Sequence, residues 1–199
     1  MESQQSYKVS QEVPHNKAPV SEQADMQPKG IGMAVAFDWG LAVQLLVTPF
    51  ITLLLGEPGI LKSFKLNPVM NTTVSFLLSL PFVTLLAIFG EGVRRGWHWT
   101  RRIQVGFNAL GFFGGFFSLY NVWQGSKQGN YWAVVTSTIL LIFSPLIAWR
   151  MSRPSTRKWF ATVTSSDARA RHSGGWSLLI LLWSIMGGVL QAIAALVTR

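Results

Sequence analysis

The chain contains no cysteine, and this absence removes several kinds of chemistry. Disulfides, thiolate metal sites, thiol nucleophiles and a lipid-modified cysteine anchor are all excluded. Histidine occurs only three times, at His15, His98 and His172. No Gly-x-Ser-x-Gly, His-Glu-x-x-His or paired acidic motif accompanies these histidines. We therefore predict a protein that is not an enzyme, with no catalytic residues, no metal site and no cofactor.

Charge is also scarce, since 13% of the 199 residues are charged, roughly half of what a soluble domain carries. The hydrophobic fraction is 49% and the net charge is +9. A basic soluble protein would suggest nucleic acid as a partner, but here the basic residues cluster between apolar runs. This pattern predicts anionic lipid headgroups as the partner, and no nucleic acid.

Five apolar runs follow a polar segment at residues 1–30, which we predict to be a disordered tail because it has little apolar surface to bury. Each run has about the length that an α-helix needs to cross a bilayer. Asp38 is the only charged residue inside any of them, so a soluble bundle with charged outer faces is excluded. The sequence predicts an all-α integral membrane protein with one domain over residues 31–199, whose spans cover residues 33–56, 69–89, 103–123, 131–149 and 176–197.

The distribution of lysine and arginine predicts the orientation. With five spans, the tail, the loop before the third span and the loop before the fifth span share one side and hold thirteen basic residues. The opposite side holds four, Lys62, Lys65, Lys127 and Arg199. By the positive-inside rule the N-terminus is cytoplasmic. We expect a multi-pass protein of the bacterial cytoplasmic (inner) membrane, the location that the resemblance described below also implies.

Two basic, tryptophan-containing stretches lie on the predicted cytoplasmic side. The stretch RRGWHWTRR covers residues 94–102, and SRPSTRKWFATV covers residues 152–163. In the second, Pro154 suits the first turn of a short amphipathic helix lying on the membrane, followed by SSDARARHSGG as a flexible return. We predict that the lipid interface is formed by Arg94, Arg95, Trp97, Trp99, Arg101, Arg102, Arg157, Lys158 and Trp159.

These stretches resemble loops in a broad group of uncharacterised bacterial multi-pass membrane proteins with four to five helices. In that group an Arg-Gly-aromatic-Arg stretch opens a glycine-rich helix, as in RRGWHWTRRIQ here, and a later stretch such as SRPSTRKWF closes another. The group has no assigned activity. The resemblance therefore implies a location in a bacterial membrane and no site residues.

Small residues recur at helical spacing in two of the spans. They are Gly111, Gly114, Gly115 and Ser118 in the third span, and Ser184, Gly188 and Ala192 in the fifth. Small residues four positions apart let a neighbouring helix backbone approach closely. We predict helix packing at these faces, either within the chain or with a homo- or hetero-oligomeric partner.

A polar stripe of Gln44, Thr48 and Thr52 follows Asp38 along the first span. The stripe predicts either ordinary interhelical hydrogen bonds or a narrow polar pathway. Asp38 lies near the cytoplasmic boundary, where we expect it to stay hydrated or to pair with Arg95 or Arg102.

Three functions remain open. The first is a structural or accessory subunit of a membrane assembly, packing through its glycine faces. The alternative is a small-solute or ion transporter or channel component that uses Asp38. A second alternative is a pigment- or haem-binding subunit, for which His98 and His172 are the candidate ligands.

Overall fold

A computed structural model describes residues 30–56 and 66–197, together with Pro28. Every regular element in that part of the chain is a helix. We number them α1 (Ile31–Leu54), α2 (Pro68–Arg94), α3 (His98–Ser126), α4 (Ala133–Ser152), α5 (Pro154–Thr162), α6 (Ser165–Arg171) and α7 (Gly175–Val197). Within α4 the segment Ile139–Phe143 is π-helical. Lys62, Lys65, Arg199 and all of the predicted tail except Pro28 and Gly30 lie outside the described residues.

Local sequence explains where the helices begin and end. The side chain of Asn67 accepts a hydrogen bond from the backbone N–H of Met70 at the start of α2, and Pro68 occupies the first turn. Gly96 adopts a φ of +73° in the tight turn between α2 and α3. A Cβ at this glycine would also lie 2.6 Å from the Val163 side chain, so the turn needs glycine for both reasons.

Four of the helices, α1, α2, α4 and α7, are long and apolar enough to cross a membrane. They coincide with four of the five predicted spans to within a few residues at each end. The third predicted span falls in α3, which is 29 residues long but less apolar on average. By length and composition, these four helices fit a multi-pass membrane protein.

The helices form two groups that meet through a few contacts. Helix α1 packs along both α2 and α7, whereas α3 packs along α4. The backbones of α1 and α7 come closest where Gly40 faces Ser184 and Gly188. A Cβ on Gly188 would lie 2.5 Å from the carbonyl oxygen of Gly40, so this crossing requires glycine.

An apolar cluster closes the end of the bundle at which α2 ends and α3 begins, which we call the arginine-rich end. Trp159 and Phe160 of α5 are 5% and 3% exposed, and they pack with Val93, Ile147 and Met151. The apolar face of the predicted amphipathic helix is therefore buried against protein, while Arg157 and Lys158 are exposed. Helix α5 thus closes the bundle end with its basic side outward.

The predicted flexible return after α5 is wrong in part, because residues 165–171 form helix α6. Its N-cap is Thr164, whose hydroxyl accepts from the backbone N–H of Asp167 and donates to the Asp167 carboxylate. This Thr-x-x-Asp pattern resembles a capping box. This capping pattern can be read from the sequence. It favours a helix here, even though the segment is polar in composition.

The two adjacent glycines of α7 provide a test of the helix crossing. Gly188→Ala inserts a methyl group against the Gly40 carbonyl and the Val43 side chain, which we expect to lower the free energy of unfolding by about 1–3 kcal/mol. Gly187→Ala is the control, since its Cβ would meet no described atom within 4 Å. Thermal unfolding in detergent measures both, and equal transition temperatures for the two variants would contradict the crossing.

Candidate functional site

Helix α3 turns a polar face toward the interior of the bundle. Six positions at intervals of three or four residues make up this polar face: Thr100, Gln104, Asn108, Gly111, Gly115 and Ser118. Thr100, Gln104 and Asn108 are fully buried, and Ser118 is 8% exposed. None of the six is a large apolar residue, so the interior side of α3 is polar or small over most of its length.

The opposite face of α3 is apolar and exposed. Phe107, Leu110, Phe113 and Phe117 are between 48% and 80% exposed. In water this arrangement would leave aromatic rings in solvent and polar groups in the core, the reverse of a soluble helix. The inward polar groups lower the mean hydropathy of α3, while its outer surface is as apolar as that of a lipid-facing helix.

Asp38 of α1 meets the polar face of α3. The side-chain amide of Gln104 donates a hydrogen bond of 3.0 Å to Oδ1 of Asp38, and both residues are fully buried. Gly90 of α2 closes the other side, because a Cβ there would lie 3.2 Å from Cβ of Asp38. The carboxyl group is therefore enclosed by three helices.

The expected ion pair of Asp38 with Arg95 or Arg102 is not formed. Over residues 30–56 and 66–197, both ion pairs use Glu91, which binds Arg94 and Arg95 at 2.6 Å. Asp38 lies about two turns inside α1 rather than at its end. Asp38 therefore lies too deep in the helix bundle to pair with Arg95 or Arg102.

Several buried oxygens on α1, α3 and α4 have no hydrogen-bond partner within the described part of the chain. They are Oδ2 of Asp38, Oε1 of Gln104, Oδ1 of Asn108 and Oγ of Ser144. The amide nitrogen of Asn108 is bound to the backbone carbonyl of Gln104 at 2.9 Å, which leaves its oxygen unused. Buried polar atoms without partners are costly, so these oxygens are an unusual chemical feature of the interior.

Ser144 belongs to the irregular part of α4. The π-helical segment ends at Phe143, and the backbone N–H of Ser144 donates to Ile139 rather than to the residue four positions earlier. Pro145 follows and has no N–H to donate. The hydroxyl of Ser144 faces Gly111 of α3, where a Cβ would lie 3.1 Å away. Short π-helical segments occur often at functional sites.

Toward the C-terminal end of α3, the polar groups form hydrogen bonds with other groups of α3 and α4. The hydroxyls of Ser118 and Ser137 share a hydrogen bond of 2.8 Å, and Ser118 also donates to the carbonyl of Gly115. Gly115 itself lies against Leu141, whose Cδ2 would be 2.7 Å from an added Cβ. Here α3 and α4 are closely packed.

The predicted polar stripe of α1 contributes little to this interior. The Thr48 hydroxyl donates to the carbonyl of Gln44 at 2.6 Å, and the Thr52 hydroxyl donates to Thr48 at 2.8 Å. Both hydroxyls are therefore used within their own helix. The sequence analysis did not predict the polar face of α3, although Thr100, Gln104 and Asn108 are spaced four residues apart in the sequence.

The predicted packing residues fall into two sets. Gly111, Gly115 and Ser118 face α4, while Ser184, Gly188 and Ala192 of α7 are buried in the bundle. Gly114 differs from them, since no described atom lies within 4 Å of a Cβ built on it. The helix faces formed by these small residues thus pack mostly against other helices of the same chain.

The two candidate haem or pigment ligands have different surroundings. His98 is exposed at the start of α3. His172 is fully buried, with its ring 4.5 Å from that of Trp176 and 5.8 Å from that of Trp159. Its Nδ1 donates to the carbonyl of Arg94, and Arg94 donates back to the His172 carbonyl at 2.8 Å. Across the described residues, no group of three or more His, Cys, Asp or Glu side chains is placed so that it could hold a metal ion.

The predicted lipid-interface residues divide between solvent and protein contacts. Arg94 and Arg95 bind Glu91, and Arg101 donates to the carbonyl of Met151. Trp97 is half-buried, whereas Trp99 is 49% exposed and Arg102 is exposed. Some of the arginines at the arginine-rich end therefore bind other groups of the protein instead of being free to contact lipid.

Comparison with known proteins finds no matching family model, no matching curated protein and no matching solved structure.

The burial of His172 at the arginine-rich end predicts how the stability of the protein depends on pH. Burial lowers the pKa of His172 from its ordinary value of 6.5, so below that pH the unfolded chain binds a proton that the folded chain excludes. Stability should be fully present above pH 6.5 and fall as the pH drops below it. The slope due to one proton is at most about 1.4 kcal/mol per pH unit.

The measurement compares thermal unfolding of the wild-type protein and His172→Gln between pH 7.5 and pH 5.5. We expect the wild type to lose more stability than the variant over this range. Identical losses in both proteins would show that His172 does not stay neutral in the folded state.

Proposed function

We propose that the protein crosses the bacterial cytoplasmic membrane five times, with its N-terminus in the cytoplasm and α3 as the fifth spanning helix. The length of α3 and its exposed outer aromatics support this assignment. The predominance of lysine and arginine at one end of the bundle supports the orientation. Lipid, anionic on the cytoplasmic side, is the partner of the outer surface.

The absence of cysteine makes this topology simple to test. Single cysteines are introduced at His98, at the start of α3, and at Gln128, after α3, both of which are exposed. A membrane-impermeant maleimide should label Gln128→Cys in intact cells, and His98→Cys only after permeabilisation. Labelling of both positions, or of neither, in intact cells would exclude a membrane-crossing α3.

We propose further that the protein moves a small monovalent cation across the membrane, as a transporter or channel component. One observation carries this proposal: Asp38 is fully buried inside a helix bundle, and among the described residues its carboxyl group is bound only by a neutral amide, that of Gln104, at 3.0 Å. An ionisable group in such a place is costly, and it is usually retained for ion or proton pathways. The polar face of α3 extends the hydrophilic interior beyond Asp38.

The packing of the small residues favours this function over a purely structural one. Gly40, Gly188 and Gly115 are occupied by helices of the same chain, so they are not free to hold a partner. A structural bundle would be expected to fill its interior with apolar side chains. Helix α3 instead presents Gln104, Asn108 and Thr100 there.

A structural or accessory subunit remains a second proposal, supported by the outer face of α3. Gly106 and Gly114 lie two helical turns apart, and a Cβ on either would meet no described atom within 4 Å. They stand between exposed aromatics such as Phe113 and Phe117. Close approach of a second membrane helix there would suit a homo- or hetero-oligomer.

Flux measurements test the transport function. Purified protein in liposomes should support uptake of radiolabelled sodium, or collapse of a pH gradient reported by a trapped dye, at rates above those of protein-free vesicles. Asp38→Asn preserves shape but removes the charge, and we expect it to lower the flux at least tenfold.

Asp167→Asn is the matched control, because Asp167 is an exposed carboxylate on α6. This variant should retain wild-type flux. Equal flux in wild-type and Asp38→Asn vesicles, or flux no greater than in empty vesicles, would contradict the proposal.

A further inference from the structure

We propose that Asp38 and Gln104 form a proton-binding site, in which the carboxyl group of Asp38 holds a proton at neutral pH, and that this proton is the ion that the protein carries. The inference rests on the proposed function, because it identifies the transported cation at the same place in the bundle. The bound proton itself can be measured without any flux.

The carboxyl group of Asp38 is enclosed without a compensating positive charge. It is fully buried, and both ion pairs of the described ranges use Glu91 instead. Moving an ionised carboxylate out of water without a positive partner is so costly that such a group takes up a proton instead. Burial without a positive partner therefore favours the neutral carboxylic acid.

The helices around Asp38 place their charged groups elsewhere. Helices α1 and α7 contain no other ionisable residue. The charged groups and the histidine contributed by α2, α3, α4 and the turn after α2 belong to the arginine-rich end, and they are Glu91, Arg94, Arg95, His98, Arg101, Arg102 and Arg150. Arg94 and Arg95 bind Glu91, and Arg101 donates to the carbonyl of Met151. These arginines are therefore engaged by groups other than Asp38.

Two buried oxygens of the contact between Asp38 and Gln104 are left without partners. Nε2 of Gln104 donates to Oδ1 of Asp38 at 3.0 Å, whereas Oδ2 of Asp38 and Oε1 of Gln104 have no hydrogen-bond partner in the described ranges. When the carboxyl group is ionised, both of these oxygens are acceptors and neither can serve the other. A proton on Oδ2 turns that oxygen into a donor, while the neighbouring amide offers Oε1 as an acceptor. A carboxylic acid thus complements this amide better than a carboxylate does.

The same contact favours a proton over a metal cation. Hard metal ions need several oxygen ligands around them, but Gln104 directs an N–H at the carboxyl group, where such an ion would need an oxygen. A proton needs only one covalent bond to Oδ2. One carboxyl group and one amide are therefore sufficient for the site.

Loading and unloading of the site are single proton transfers. A hydronium ion gives its proton to Oδ2, where one O–H bond forms, and one water molecule leaves; release to water reverses the step. The loaded site carries no net charge and so avoids the cost of a buried ion. A proton that is carried in this way must exchange with solvent.

Infrared absorption of the carboxyl group tests the site without requiring transport. The chain has three aspartates, Asp25, Asp38 and Asp167, so isotopic labelling of the aspartate carboxyl groups in the full-length protein separates their bands from those of glutamate. At neutral pH we expect one labelled C=O band of a protonated carboxyl group. In heavy water this band should move to lower frequency, because O–H becomes O–D.

Three variants assign the band. Asp38→Asn should lose it completely, whereas the matched control Asp167→Asn, at an exposed carboxylate, should keep it. Gln104→Leu removes the N–H that binds Oδ1, so the band should remain and move to higher frequency.

Absence of a protonated-carboxyl band in the wild type would overturn the proton site and leave transport of another cation standing, and a band that survives in Asp38→Asn would do the same. A band that does not respond to heavy water would show a trapped proton and overturn its role as the carried ion. If Asp38→Asn does not fold, an unshifted band in Gln104→Leu overturns the site. The expected bands without flux of protons or sodium in liposomes would support the site and contradict the transport function.

Discussion

The hydrogen bond between Gln104 and Asp38 joins the two halves of the helix bundle. On one side α1 packs with α2 and α7, and on the other α3 packs with α4. Between them, a neutral amide holds a carboxyl group that is fully buried. Because both partners are removed from water and lipid, the contact fixes how α3 is rotated about its axis. Every other inward position of α3 follows from that rotation.

That rotation explains the distribution of residues on α3. With Gln104 inward, helical periodicity brings Thr100, Asn108 and Ser118 to the same side and leaves Phe107, Phe113 and Phe117 outside. Under the proposed topology the outer surface of this helix meets hydrocarbon, which suits its exposed aromatics. Helix α2, which is apolar enough to cross a membrane, has a similar outer surface, since its leucines at positions 77, 78 and 85 are more than half exposed.

The sequence predicted the helices far better than it predicted what lies between them. Helix length and apolarity specify a membrane span directly, so α1, α2, α4 and α7 lie close to their expected ranges. The partner of Asp38 depends on how deeply it is buried and on which way α3 faces, and the arginines of the loop on the same predicted membrane side were a misleading guide. The inward face of α3 was readable from the spacing of Thr100, Gln104 and Asn108. The π-helical segment beside Ser144 had no comparable pattern, since it depends on packing around Pro145.

The rotation of α3 in the bilayer is most directly measured by spin-label accessibility. Single cysteines at successive positions from 103 to 118, each carrying a nitroxide, report collisions with oxygen dissolved in the lipid. We expect accessibility to oscillate with the helical period, with minima at positions 104, 108, 111, 115 and 118 and maxima at 107, 110, 113 and 117. Uniform accessibility, or an oscillation of the opposite phase, would contradict a polar interior built on α3.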